Sequence, residues 1–582
     1  MILLGIDSLL LLYINAGLGV FMLAFLQKIF KHPVEANILG VVLSGLIFST
    51  FYGNLVSFWF PVNYYWLIPL FLLSSVALFK NSESTKKFLS SVRQNVKLIL
   101  LPSNLWFTIP VFATLLYYWI IPASNPDSAG YHYLTILWYE KFKVIPGLAN
   151  VHGRFGFNPA SFIIQAPYSF TNIVGQALYP LNGVIISLFI LWLLTKVLKN
   201  KKSVTGIIYA VLFFMLNWYC LINLSNPSPD PLFTICVSYA ILKYFDALLS
   251  NKVTVTVVLV PLLITAFAFI AKISAYPVLL VIPFMLYLLG RNEKLLPFTL
   301  KLFIICLPLY ASWFCRNIIL SGYLVYPIPY IDIFNFDWKA PKDVLMLDYV
   351  FIRQQPKLFS MDCAYLKTFT FPHWIIPWIR QHPYHKMLTE LTIFFLAMLS
   401  PFYWIIIYLK RKKIPGSLFM LWLIMFIGSC LWLINSPEYR FGMAFLSFTI
   451  MIPVLFVVLT SPQKTKPFIN IALATTFIFL STYYIYHAHA KKTTYAFTPG
   501  DCWLYPLKDK RYYYKNNKAD FKYVVLNTGV KLYMDDRFHE CINTDLPCME
   551  WKYGVIEMRG NKMEDGFRNV KDEVSIYYPF VK

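Results

Sequence analysis

Charge is scarce in this chain. Only 14% of its 582 residues are Asp, Glu, Lys or Arg, where a soluble globular protein carries about 25%. Acids are rarest, 28 Asp and Glu against 51 Lys and Arg, for a net charge of +23. There is no CxxC pair, no His/Cys cluster with zinc spacing, no internal repeat and no low-complexity tract. Residues 1–26 lack the basic start and small-residue cleavage site of a signal peptide, so this first apolar run is expected to be retained. These absences, with 58% hydrophobic residues, exclude a soluble enzyme, a disordered chain and a protein with a single membrane anchor.

Long apolar runs are abundant instead. Fourteen have about the length that spans a hydrocarbon core: 2–26, 36–60, 62–79, 101–121, 178–195, 204–222, 231–249, 254–271, 276–290, 298–320, 388–409, 416–435, 441–460 and 468–487. The expected fold class is an all-α polytopic membrane protein of about 14 transmembrane helices. Alternating the spans sorts the loops into two sets. The set 27–35, 80–97, 196–203, 243–253, 291–301, 410–415 and 461–467 carries 22 Lys/Arg against 4 Asp/Glu. The opposite set carries 13 against 11, and the tail 488–582 carries 16 against 13. Cytoplasmic loops collect Lys and Arg. The basic set is therefore expected inside the cell, with both termini on the extracytoplasmic side of the cytoplasmic membrane. Because the excess charge is a topology signal, no nucleic-acid partner is expected.

Three external segments are long: 122–177, 321–387 and the tail. In the first, Tyr131, Leu134, Leu137, Trp138 and Phe142 recur at helical spacing beside Glu140, Lys141 and Lys143. That pattern predicts a helix lying in the interface plane. The tail, with clustered charges and stretches such as Tyr523-Val524-Val525-Leu526, predicts a small C-terminal extracytoplasmic α+β domain. The chain thus divides into N-terminal transmembrane helices (1–100), a larger transmembrane region with external loops 122–177 and 321–387 (101–487) and the external domain (488–582). Cys363, Cys502, Cys541 and Cys548 fall outside the spans, where disulfides can form and their pairing is open.

Each ionisable residue near the bilayer is costly and needs a reason. Asp127 follows the fourth span in Asn125-Pro126-Asp127, and Asp230 stands in the next external turn, Asn226-Pro-Ser-Pro-Asp230-Pro. Both also fit a helix cap. Either carboxylate can activate a hydroxyl within hydrogen-bond reach. Lys272, Arg316 and Arg440 lie at outer span ends, against the positive-inside trend, and suit phosphate. Their alternatives are snorkelling and local pairing, such as Glu438 with Arg440. His132 follows Asp127, and His152-Gly-Arg154-Phe-Gly-Phe-Asn158-Pro forms a Gly/Pro turn able to approach a ligand. His373 and Arg353 stand in the second large loop.

The chain resembles the GT-C superfamily of polytopic glycosyltransferases, in the style of the protein O-mannosyltransferases and the lipid A aminoarabinose transferase. The resemblance rests on Asp127 after a span, Asp230 in the next external turn, Glu438-Tyr439-Arg440-Phe441 late in the chain, and Arg316-Asn317…Gly322-Tyr323…Tyr326-Pro327. It covers roughly 101–460. Three spans precede the one that leads into the acid-bearing loop, where relatives often have a single span before that loop, and Asp127 stands alone where many have an acid pair. The resemblance implies transfer of a sugar from a polyprenyl-phosphate donor to a hydroxyl on a glycan, lipid or protein, with inversion. It implies Asp127 and Asp230 as the catalytic carboxylates, Asp127 as the base that deprotonates the acceptor hydroxyl and Asp230 orienting Asp127, a cation or the acceptor, with Arg440, Arg316 and Lys272 at the donor phosphate. His132, His152, Arg154, Glu438 and Tyr439 would contact substrate, membrane lipids would surround the site, and a divalent cation is compatible with it. The alternatives are an O-antigen ligase or polymerase using a diphosphate-linked oligosaccharide, and a transporter of lipid-linked saccharides.

Overall fold

The computed structural model describes residues 2–120, 125, 127–200, 206, 209, 212, 216, 220–221, 223–291, 294–358, 372–381, 384–411, 414–460, 522–534, 546–549, 552–570 and 576–577. Seven helices are long and apolar enough to cross a membrane: Ile2–Phe30, Ile38–Ser57, Pro180–Lys199, Asp230–Leu249, Leu295–Ser321, Gly416–Asn435 and Tyr439–Val457. The pair Glu390–Met398 and Ser400–Lys410, bent by 45°, makes an eighth if it counts as one span.

The fourteen expected spans are not all of this kind. Tyr64–Lys80, Thr108–Ile120, Val255–Ala271 and Ile273–Leu289 are shorter apolar helices. The 17 residues of Val255–Ala271 reach about 25 Å against a hydrocarbon core of about 30 Å. The run 204–222 lies mostly, and 468–487 wholly, outside the described residues. Between the third and fourth of the short helices the chain breaks at Lys272, whose backbone is extended (φ −162°, ψ 131°).

Helices that share apolar surroundings gain little from hydrophobic contrast, so close approach of small residues does much of the packing. The first two helices show this. A Cβ on Gly45 would lie 1.9 Å from the Asn15 carbonyl oxygen, and one on Gly19 would lie 2.0 Å from that of Val41. Asn15 and Ser49 close the crossing with a 2.7 Å hydrogen bond.

The first external segment departs from the expected interfacial helix. After a π-helical turn at Ser128–His132, the helix Tyr133–Lys141 buries Leu134, Ile136, Trp138, Tyr139 and Glu140. The Glu140 carboxylate accepts the backbone N–H of Thr171 at 3.0 Å instead of facing water. The helix is covered on several sides by its own chain: Tyr131 meets Phe162 edge-on, and Trp138 meets Phe567 of the tail. A pattern of apolar positions shows which side needs cover but not whether lipid or protein supplies it.

The described part of the tail is strands and one 3-10 turn. Lys522–Val525 pairs antiparallel with Lys531–Met534, which pairs parallel with Cys548–Met549; Ile556–Met558 pairs antiparallel with Phe567–Asn569. Cys548 is disulfide-bonded; Cys363, Cys502 and Cys541 lie outside the described residues. This unit docks on the segments around Pro146–Asn150 and Asp337–Trp338. Phe567 N–H donates to the Pro146 carbonyl at 2.9 Å. Asn150, fully buried, donates to the carbonyls of Gly147, Trp338 and Phe567 and accepts from Asn569. Gly147 is left-handed (φ 67°), and a Cβ there would meet the Phe567 oxygen at 2.1 Å. At the exposed rim Arg559 grips Asp337 through two bonds of 2.7 and 3.0 Å.

Asn150→Ala leaves buried carbonyls without donors, which costs about 1–3 kcal/mol; the exposed Arg559→Ala costs about 1 kcal/mol or less. In detergent, Asn150→Ala is expected to lower the unfolding midpoint and speed proteolytic release of the tail, with Arg559→Ala close to wild type in both assays.

Candidate active site

Four distant segments bring their charges together at the ends of the apolar helices. Asp230 opens the helix Asp230–Leu249, Lys272 stands in the break after Val255–Ala271, Arg440 stands in the first turn of Tyr439–Thr460, and Asp127 follows Pro102–Ile120. Arg440 Nη1 lies 2.7 Å from Asp127 Oδ2 and 3.9 Å from Asp230 Oδ2. Arg154 Nη1 donates to Asp127 Oδ1 at 3.0 Å, and its guanidinium stacks 5.2 Å from the Tyr131 ring centroid. Lys272 hydrogen-bonds Asp230 and lies 3.8 Å from the Phe441 ring centroid. Glu438 Oε1 is 3.8 Å from Arg440 Nε. The cluster therefore holds three carboxylates and three cations.

Neither Asp127 nor Asp230 caps a helix. Asp127 begins the π-helical turn with no side-chain cap bond, and the Asn125 side chain accepts its N–H instead. At Asp230 the cap position is Pro229, and the Ser228 hydroxyl receives the Asp230 N–H at 3.4 Å. Both carboxylates reach the cations. Asp230 is 2% exposed and Asp127 20%, so the cluster has one closed and one open carboxylate.

Burial alone would raise the Asp127 pKa, but the Arg440 and Arg154 charges more than offset it and hold the carboxyl well below the usual range. Burial pushes His132 down to about 3 despite the two nearby acids, so it is neutral here. Its Nδ1 pairs with the Ser128 hydroxyl at 3.2 Å. Lys272 is lowered by burial, with Asp230 opposing the shift.

The other candidates serve the scaffold. His152 is fully buried, and its Nδ1 accepts the Arg154 N–H at 3.1 Å, capping the turn Gly153–Gly156 that presents Arg154. Tyr439 is buried beneath the cluster. Arg316 is not brought to the acids. It is fully buried, donates from Nε to Asn158 at 3.2 Å and stacks 4.4 Å from the Tyr139 ring centroid, tying the first external loop to the helix Leu295–Ser321. Arg316 is thus held apart from the acids, and its buried Nη1 and Nη2 have no hydrogen-bond partner among the described residues; sequence position near a span end does not show which side of the helix a cation faces. Among the described residues no group of three or more His, Cys, Asp and Glu forms a metal site; the positive charge between the two aspartates is that of Arg440.

One residue of this region is not among the sequence candidates. Asp348, buried in the helix Lys342–Leu358, accepts the Tyr326 hydroxyl at 2.7 Å, and a Cβ on Gly153 would sit 2.1 Å from its Oδ2. Burial raises its pKa. It supports the turn that carries Arg154. Its signal in the sequence is a carboxylate on the apolar stripe Val344, Leu347, Val350 and Phe351 of an otherwise amphipathic helix.

Asp127→Asn and Arg440→Ala are each expected to lower the unfolding midpoint in detergent, and the double variant to lose less than the sum, with coupling of about 1–3 kcal/mol. Acid should destabilise the protein through His132. Below its ordinary value of 6.5 the unfolded chain takes up a proton that the folded chain refuses until about 3. Stability is thus fully present above pH 6.5 and falls between 6.5 and 3, at up to about 1.4 kcal/mol per pH unit. His132→Gln should flatten the dependence of the unfolding midpoint on pH in that window.

No curated protein and no solved structure shows significant similarity to the chain. A family model described as "Domain of unknown function (DUF8201)" matches residues 1–447, a stretch that contains every charged member of the cluster. The chain belongs to this DUF8201 family.

Proposed function

We propose that the protein is a membrane glycosyltransferase that moves a sugar from a polyprenyl-phosphate donor to a hydroxyl acceptor on the outer face of the cytoplasmic membrane. The observation that carries this reading is the convergence of Asp127, Asp230, Arg154, Lys272 and Arg440 at one end of the apolar helices, with Asp127 partly open. A donor whose tail lies in the bilayer presents its phosphate at that level. The excess of Lys and Arg in the opposite loops supports an extracytoplasmic position for the site. The tail docks beside Pro146–Asn150, which fits a role in holding the acceptor: a glycan, a lipid or a protein.

Held by two guanidinium groups, Asp127 is a weak base, and a base works best with a pKa near the working pH. The donor phosphate offers Arg440 a second anionic partner. As Arg440 turns to it, Asp127 keeps only Arg154 and becomes more basic. The acceptor O–H then gives its proton to Asp127 while its oxygen bonds to the anomeric carbon from the opposite face. The bond from that carbon to the phosphate oxygen breaks, and its electron pair leaves with the phosphate, stabilised by Arg440 and Lys272. Asp230 holds Lys272 in place throughout and stays beside Arg440 as it turns.

The test is a panel of radiolabelled polyprenyl-phosphate sugars offered to the purified protein in nanodiscs, with membrane extract supplying acceptors. Label is expected to leave one donor, and Asp127→Asn to slow that loss by about 100-fold or more, with Arg440→Ala impaired as well. Consumption of no donor, or undiminished transfer by Asp127→Asn, overturns the reading.

A further inference from the structure

The acid cluster is electrically balanced, with three carboxylates for three cations, so an incoming anion must compete for every charge there. One short stretch of backbone away lies a pair of cations without that competition. Lys357 is 4% exposed, donates to the Ile434 carbonyl at 2.9 Å and sits 4.9 Å from the Trp374 ring centroid. One helical turn before it, Arg353 hydrogen-bonds the Tyr349 hydroxyl, and its buried Nε has no hydrogen-bond partner among the described residues. No carboxylate lies within ion-pair distance of either cation among the described residues. All their partners are neutral.

The pair is built into the fold. Ser436 Oγ donates to the Ile352 carbonyl at 2.6 Å, fixing the helix Lys342–Leu358 to the turn after Gly416–Asn435. Asn435 donates to the Tyr276 hydroxyl at 3.1 Å, four residues beyond Lys272. Residues 434–440 therefore touch Lys357 at one end and bear Arg440 at the other. Tyr276 is 39% exposed, which leaves this side open. Burial pushes the Lys357 ammonium down to about 8, and the like charge of Arg353 adds to the fall. Two adjacent, half-desolvated cations with neutral partners are a cost that a bound anion would remove.

We propose that Arg353 and Lys357, with Asn435 and Tyr276 at the rim, form an anion site that receives a phosphate group at the membrane boundary, separate from the Asp127–Asp230 cluster. Arg353 supplies a planar fork and Lys357 a point charge, the two forms of phosphate contact. Only the lipid origin of that phosphate rests on the transfer reading; the site itself does not. A carrier captured here has its phosphate one turn of chain from Lys272 and Arg440, where transfer would take place.

Binding to the full-length protein in detergent is followed by tryptophan fluorescence and thermal shift, with farnesyl phosphate, farnesol and inorganic phosphate as probes. Farnesyl phosphate is expected to bind and farnesol not to. Arg353→Ala and Lys357→Ala should each weaken binding about tenfold or more, while Lys357→Arg, which keeps the charge, stays near wild type and controls for folding. Equal binding of inorganic phosphate with the same losses keeps the site and makes the ligand a free anion. Binding that is unchanged in Arg353→Ala and Lys357→Ala, or that is lost only in Arg440→Ala, overturns the site while leaving the transfer reading intact. Failure of the wild type to bind either phosphate overturns the site too. Label release from sugar donors in the preceding assay decides the transfer reading independently.

Discussion

The guanidinium of Arg440 lies between two aspartates from distant parts of the chain, and the helix ends that meet there are organised around it. Charges at the edge of a bilayer are tolerated only when paired. Asp127, Asp230, Arg154, Lys272 and Glu438 all satisfy that demand within a few ångströms of Arg440 or of one another. Each belongs to a different piece of structure, so pairing them also fixes how those pieces meet. The helix breaks at Lys272, the residue whose ammonium pairs with Asp230.

A second layer holds the first in place. The turn Gly153–Gly156 offers Arg154 to Asp127 only because His152 caps it and because Gly153 has no side chain where Asp348 approaches. Asp348 is in turn held by Tyr326. The tail reaches the same region from outside, through Asn150 and the left-handed Gly147. Helix ends and loops thus meet around the charged cluster.

The charged residues were legible because charge is so rare here. In a chain that is 14% charged, an acid after a span stands out, and Asp127, Asp230, Arg154, Lys272, Glu438 and Arg440 do meet. Arg316 is equally conspicuous along the chain, yet it stacks on Tyr139 and does not join the acids. The same reasoning made the histidines candidates for substrate contact, where the fold buries His132 and uses His152 to shape a turn. Asp348 and Lys357 were obscured for the opposite reason: an amphipathic helix is expected to carry polar residues, and only packing shows which of them face inward.

Composition and run length by themselves determined that this is a helical membrane-type chain, because apolar stretches of about 20 residues have few other stable uses. They also showed which few side chains needed partners. They could not determine the pairing, since partners such as Asp127 and Arg440 lie 313 residues apart and nothing local joins them. Nor could they tell a full span from a helix that stops short, as at Val255–Ala271, or a lipid-facing helix from one sheathed by its own loops, as at Tyr133–Lys141. Those outcomes depend on what packs against each face, and that was decided only when the chain closed on itself.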